Sequence, residues 1–89
     1  MLQITFKLFA TLSDYLPAQV DQHVRSGNEI ALDVPEGTAV QAVIDRFNMP
    51  RPLIHLVLVN GHYISPSERA GHLLRDGDAL AIWPPIAGG

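Results

Sequence analysis

Leu2, Ile4, Phe6 and Leu8 alternate with Gln3, Thr5 and Lys7, the period of a strand with one face in a core and the other towards water. From Ala10 to Leu16 the spacing predicts a short helix with Leu12, Tyr15 and Leu16 inward. Pro17 closes it, because a residue before proline is pushed out of the helical region. Residues 17–28 are mixed and polar, finish on Ser26-Gly27-Asn28, and read as a connecting loop. Alternation returns at Ile30, Leu32 and Val34, a second strand ended by Pro35-Glu36-Gly37. The first two strands are expected to pair, with the loop as an irregular crossing between them.

The pattern then changes period. Val40, Val43, Ile44 and Phe47 recur at i, i+3, i+4 and i+7, the apolar stripe of one helix face, and that stripe reads as core. Thr38 is the expected N-cap, since its hydroxyl can accept from a free N–H of the first turn. Pro50 and Pro52 forbid continuation. Leu56-Val57-Leu58-Val59 predicts an apolar strand in a sheet interior. Asn60-Gly61 predicts a hairpin, because a type I′ turn needs positive φ at both positions. His62-Tyr63-Ile64 is the return strand, Pro66 to Leu74 a semi-helical connection, Asp76-Gly77-Asp78 a tight turn, and Ala79 to Trp83 the last strand. This order describes an α+β roll, a mixed sheet packed on one principal helix.

Composition narrows the function classes. Eighty-nine residues, 47% hydrophobic and 17% charged, suit one small core. With no cysteine, disulfides, thiolate metal sites and a nucleophilic Cys are excluded. A formal charge of −3 with six scattered Lys and Arg residues argues against nucleic acid, which selects a basic footprint. The longest apolar stretch, Leu53 to Val59, is too short for a membrane span, and the N-terminus has no secretory signature. The expected location is the cytoplasm. His23, His55, His62 and His72 lack helical metal-pair spacing, so no metal site is expected. Ser65 and Ser67 flank Pro66 and read as turn chemistry. No catalytic group is visible.

The remaining chemistry lies at the end of the sequence. Pro84-Pro85 makes a stiff, extended exit from the last strand, and Ile86-Ala87-Gly88-Gly89 follows it. A diglycine has no side chain and loose backbone preferences. It suits threading a narrow tunnel and presenting a carboxylate in another protein's active site. By itself such a dipeptide also fits a chain that simply ends in small residues. The expected division is a globular domain at 1–83 and a flexible carrier tail at 84–89.

Taken together, Phe6-Lys7-Leu8-Phe9-Ala10, Val59-Asn60-Gly61, Arg75-Asp76-Gly77-Asp78 and Pro84-Pro85-Ile86-Ala87-Gly88-Gly89 resemble the MoaD/ThiS family of ubiquitin-like sulfur carriers. The resemblance runs through nearly the whole chain in the family's order, and it implies a β-grasp fold. It further implies that an E1-like adenylyltransferase activates the Gly89 carboxylate with ATP and magnesium, and that a sulfur donor converts it to a thiocarboxylate. Pro85, Ile86, Ala87 and Gly88 would carry that group into a sulfur-accepting enzyme, such as the large subunit of molybdopterin synthase. The chain itself would bind no cofactor.

Ile82 and Trp83 must face opposite sides of a regular strand, so only one can be core. The reading leans towards Trp83 outward, as a partner-docking residue. Phe9 alternates with Phe6 and Leu8 and is a second docking candidate, and Arg75 is a third, for steering. Three functions stay open: the small subunit of molybdopterin synthase, a ThiS-like carrier for thiazole or another sulfur pathway, and a protein modifier. The long connection at 17–28 departs from the family and leaves the subfamily open.

Overall fold

Strands β1 (Leu2–Leu8) and β7 (Ala79–Trp83) lie side by side and parallel, Thr5 opposite Ala79 and Leu8 opposite Ile82. The computed structural model that shows this describes residues 1–85. Around the parallel pair, β4 (Glu29–Val34), β5 (Leu56–Val59) and β6 (His62–Tyr63) complete a five-stranded mixed sheet in the order β4-β1-β7-β5-β6. β1 pairs with β4 antiparallel, as the alternation predicts, with Phe6 opposite Ile30 and Leu2 opposite Val34.

One face of the sheet is closed. Ile4, Phe6 and Leu8 of β1, Ile30, Leu32 and Val34 of β4, Val57 and Val59 of β5, and Leu80 and Ile82 of β7 point into a single core. Helix α1 (Val40–Arg46) brings Val40, Val43 and Ile44 to it from the other side. Phe47, just past the helix, stacks on Phe6 with ring centroids 4.8 Å apart. Burial of apolar area on this scale is the main term that holds so short a chain folded.

Several expectations need correction, each for a local reason. The segment 17–28 is not plain loop. It holds a small antiparallel hairpin, β2 (Gln19–Val20) with β3 (His23–Val24). Arg25 secures it by donating to the carbonyls of Ser13, Leu16 and Gly27, and His23 Nε2 lies 2.9 Å from Asp33 Oδ2 on β4. Ala10–Tyr15 forms a 3-10 turn in which Leu12 is buried, but Tyr15 is exposed rather than inward. Leu16, just past the turn, takes extended backbone (φ −83°, ψ 117°) and is the residue that returns to the core beside Leu12.

Thr38 does not cap the helix; Ala39 stands at that position without a side-chain cap. The hydroxyl of Thr38 donates to Pro35 O at 2.7 Å instead. The first-turn N–H groups of Val40 and Gln41 donate to the carbonyls of His72 and Arg69, both at 2.9 Å. Tertiary acceptors from the 66–74 connection thus replace the cap that sequence suggests. The helix also ends before its prolines: Asn48 takes a φ of +52°, a left-handed stop that asparagine tolerates. The connection 66–74 carries a short 3-10 turn at Pro66–Glu68.

Candidate functional site: the open sheet face beside the tail

The face of the sheet away from α1 has no covering layer among the described residues. Strand alternation sets its membership. Because Leu80 and Ile82 are core, Ala79, Ala81 and Trp83 must point to the open side. Register adds their neighbours: Leu56 opposite Trp83, Leu58 opposite Ala81, and Tyr63 opposite Leu58. On β1, Thr5 and Lys7 share this face, and Phe9 follows them beyond the strand. Most of these side chains are half-buried, and Tyr63 is exposed.

Trp83 therefore points outward, and it is not alone. Its indole lies on the ring of Phe9, centroids 4.0 Å apart and planes 6° from parallel. Two backbone bonds fix the pair. Phe9 N–H donates to Ile82 O and His55 N–H donates to Trp83 O, each at 3.1 Å. The chain leaves the sheet at once, through Pro84, which is buried, and Pro85, which is exposed. A partly exposed, largely apolar surface that includes the stacked aromatic pair thus adjoins the point where the chain leaves the sheet. Aromatic anchors of this kind are enriched in binding hot spots, and contiguous exposed apolar area marks interaction surfaces.

Arg75 is not part of this cluster. It stands before the other end of β7, where its N–H donates to Asp78 Oδ2 at 2.8 Å and Gly77 N–H donates to Gln3 O at 2.8 Å. Gly77 has a φ of +85°, so the Asp76-Gly77-Asp78 turn is built by its own chemistry. The Asn60-Gly61 hairpin also forms as expected, with φ of +51° and +84°. Asn60 ties it to the neighbouring turn: Nδ2 donates to Asp78 Oδ1, and Oδ1 accepts from Ala79 N–H, both at 2.8 Å.

Leu56, Leu58 and Tyr63 are members of the open face that sequence reasoning missed. Four apolar residues in a row suggest a strand buried on both sides, whereas β5 is buried only at Val57 and Val59. The signal that could have found them is the Asn-Gly hairpin, which places Tyr63 opposite Leu58. Ile86, Ala87, Gly88 and Gly89 lie outside the described residues.

Among the described residues, Glu68, away from this face, is the one group whose titration is displaced from its ordinary value. Ser65 Oγ donates to Glu68 Oε1 at 2.6 Å and Ser65 N–H at 3.4 Å, and together they lower the carboxyl below the usual glutamate value. Desolvation opposes this and His72 assists it slightly. Among the described residues no three His, Asp or Glu side chains come together as metal ligands, and no helix is long and apolar enough to cross a membrane.

Comparison with known proteins places this architecture. No curated protein matches the chain. Among solved structures, a candidate molybdopterin converting factor subunit 1 from Pyrococcus furiosus superposes with a TM-score of 0.67 at 22% identity, over 97% of this chain and 100% of that one. SAMP1 from Haloferax volcanii superposes with a TM-score of 0.66 at 24% identity, over 98% and 99%. Both are likenesses of fold, the β-grasp roll. The model of the ThiS family matches residues 7–89. The chain belongs to the ThiS family, and is accordingly a small ubiquitin-like carrier protein rather than an enzyme.

Proposed function

We propose that this protein carries sulfur as a thiocarboxylate on Gly89 and delivers it into the active site of a partner that it docks through the open sheet face. The observation that carries the reading is adjacency. The Phe9–Trp83 pair ends the sheet where Pro84-Pro85 begin the path to Gly88 and Gly89. A partner gripping this face holds the point from which the tail departs.

The chemistry needs activation first. A carboxylate is a poor electrophile with a poor leaving group, and adenylation by an E1-like enzyme using ATP and magnesium supplies a good one. Attack of sulfide supplied by a sulfur donor on the adenylate carbonyl forms the C–S bond, releases AMP and leaves a thioacid whose sulfur is nucleophilic and transferable. Gly88 serves sterically, since a Cβ there would widen the tail. The domain at 1–83 docks, the tail at 84–89 delivers, and the site of action is the cytoplasm. The fold likeness to a candidate molybdopterin converting factor subunit supports molybdopterin synthesis as the destination, with a synthase large subunit as acceptor.

Intact mass after incubation with an E1-like adenylyltransferase, ATP and a sulfur donor tests the reading. The expected gain is one oxygen-for-sulfur exchange, localised to Gly89 and absent when Gly89 is deleted. Adenylation followed only by attachment to lysines of other proteins would replace the carrier reading with that of a modifier.

A further inference from the structure

The chain is nearly devoid of side chains that could intercept an acyl group. It has no cysteine, and of its six basic residues only Lys7 is a lysine. The five arginines stay protonated and are not acyl acceptors. Hydroxyls are weak nucleophiles at their free pKa. Among the described residues no serine, threonine or tyrosine hydroxyl hydrogen-bonds to a histidine, and Ser65, whose Oγ donates to Glu68, stands just before the 3-10 turn at Pro66–Glu68, away from the open face. Lys7 is thus the sole side-chain amine, and the fold gives it a particular place.

Lys7 projects from β1 on the open sheet face, since its neighbours Phe6 and Leu8 are wholly in the core. It sits opposite Ala81 of β7 and Glu29 of β4. Ala81 is too small to cover it, and Lys7 is half-exposed. Its ammonium has no ion pair among the described residues, where His23–Asp33 is the one pair present. The next outward residue along the chain is Phe9, in the Trp83 stack.

We propose that Lys7 is the acceptor through which one copy of this chain becomes isopeptide-linked to the tail of a second copy. This rests on the reading that the Gly89 carboxylate is adenylated. In the step, the deprotonated amine of Lys7 attacks the carbonyl carbon of the Gly89 adenylate on the other copy. The new C–N bond replaces the bond to the phosphate oxygen, AMP leaves, and the amine's proton goes to solvent. No oxidant or reductant is involved, and the product is two chains less one water. Because Lys7 stands on the same face as the aromatic pair, an attached chain occupies part of the surface proposed for docking. Linkage and partner engagement then exclude each other, and the modification withdraws its acceptor copy from delivery. The other free amine, on Met1, lies at the far end of β1, roughly 20 Å from Lys7 at the rise of an extended strand, and its acylation would leave the face open.

The test is a reaction of the full chain with an E1-like adenylyltransferase and ATP, without a sulfur donor, with pyrophosphate release followed in parallel. The expected product has the mass of two chains less one water, gives after trypsin a branched peptide in which Lys7 carries the segment 76–89 that follows Arg75, and is absent for Lys7→Arg. Peptide mapping of the unaltered chain keeps the test independent of how the variant behaves. Pyrophosphate released without a linked product, or linkage mapped to Met1 or persisting in Lys7→Arg, would overturn the proposal while leaving adenylation intact. Absence of pyrophosphate release for the unaltered chain would overturn both the proposal and the carrier reading on which it rests.

Discussion

The indole of Trp83 covers the ring of Phe9 almost face to face, at 4.0 Å between centroids. The two residues come from opposite ends of the sequence and meet because β1 and β7 are parallel neighbours. Stacked pairs contribute about 0.5–1.5 kcal/mol beyond the area they bury. The stability costs of Phe9→Ala and Trp83→Ala should therefore be non-additive by about that amount. Denaturant titrations of both single variants and the double variant measure it, and strictly additive costs would show that the stack contributes nothing of its own.

Trp83→Ala should also weaken binding to the partner that accepts the tail, by at least roughly 2 kcal/mol, or about thirtyfold in Kd. Calorimetry with a synthase large subunit reads this directly. Arg75→Ala, at the other end of β7, is expected to leave that affinity nearly unchanged. Equal losses for the two variants would relocate the docking surface.

Asn60 joins two turns through a pair of 2.8 Å hydrogen bonds while holding a left-handed φ. Asn60→Gly keeps the backbone conformation but removes both bonds, and should cost about 1–2 kcal/mol. Asn60→Asp sets a second carboxylate against Asp78 and should cost more at neutral pH, with partial recovery in acid. The order of the two urea midpoints at pH 7 decides the matter.

Phe47 is half-buried and stacked on the fully buried Phe6. Phe47→Ala is expected to cost about 3 kcal/mol, at the low end for phenylalanine truncation, and Phe6→Ala up to about 5 kcal/mol. Domains are stable by only about 5–15 kcal/mol, so either loss is plain in thermal melts. A neutral Phe47→Ala would mean that the ring contributes little to the core.

The carboxyl of Glu68 titrates below the ordinary glutamate value because Ser65 hydrogen-bonds to it. A depressed folded-state value means that the contact adds stability above the pKa of the unfolded chain. That contribution is lost as pH falls through the folded value. Side-chain carbon shifts followed by NMR should give a midpoint below that of a free glutamate, moving upward in Ser65→Ala. An unshifted midpoint would show that the Ser65 contact does not persist in solution.

Much of the fold is legible in the residue pattern. The alternation at Leu2–Leu8, the stripe at Val40–Ile44 and the Asn60-Gly61 turn each carry their structure locally, and all three form. What escaped depends on partners distant in sequence. The cap of α1 is supplied by the carbonyls of Arg69 and His72, which no local motif announces. The hairpin at Gln19–Val24 is supported by Arg25 contacts and by β4 rather than by a strong strand pattern. The same limit applies to the site. Alternation allowed one of Ile82 and Trp83 to be core, but only the β7 register shows that Trp83 meets Phe9 and Leu56. Arg75, the candidate for steering, stands before the opposite end of β7, a separation that residue type alone does not reveal.

The parallel neighbours β1 and β7 have a consequence for biosynthesis. β1 is made well before its partner strand at Ala79–Trp83. Such non-local pairing delays folding until the distant segment is free. The sheet can close only once residues 79–83 are free to pair with β1. A prematurely terminated product lacking β7 leaves Phe6 and Leu8 without the neighbours that bury them, and becomes a target for proteolysis. Truncated copies without the last strand are thus expected not to fold, and so not to compete for a docking site built on that strand.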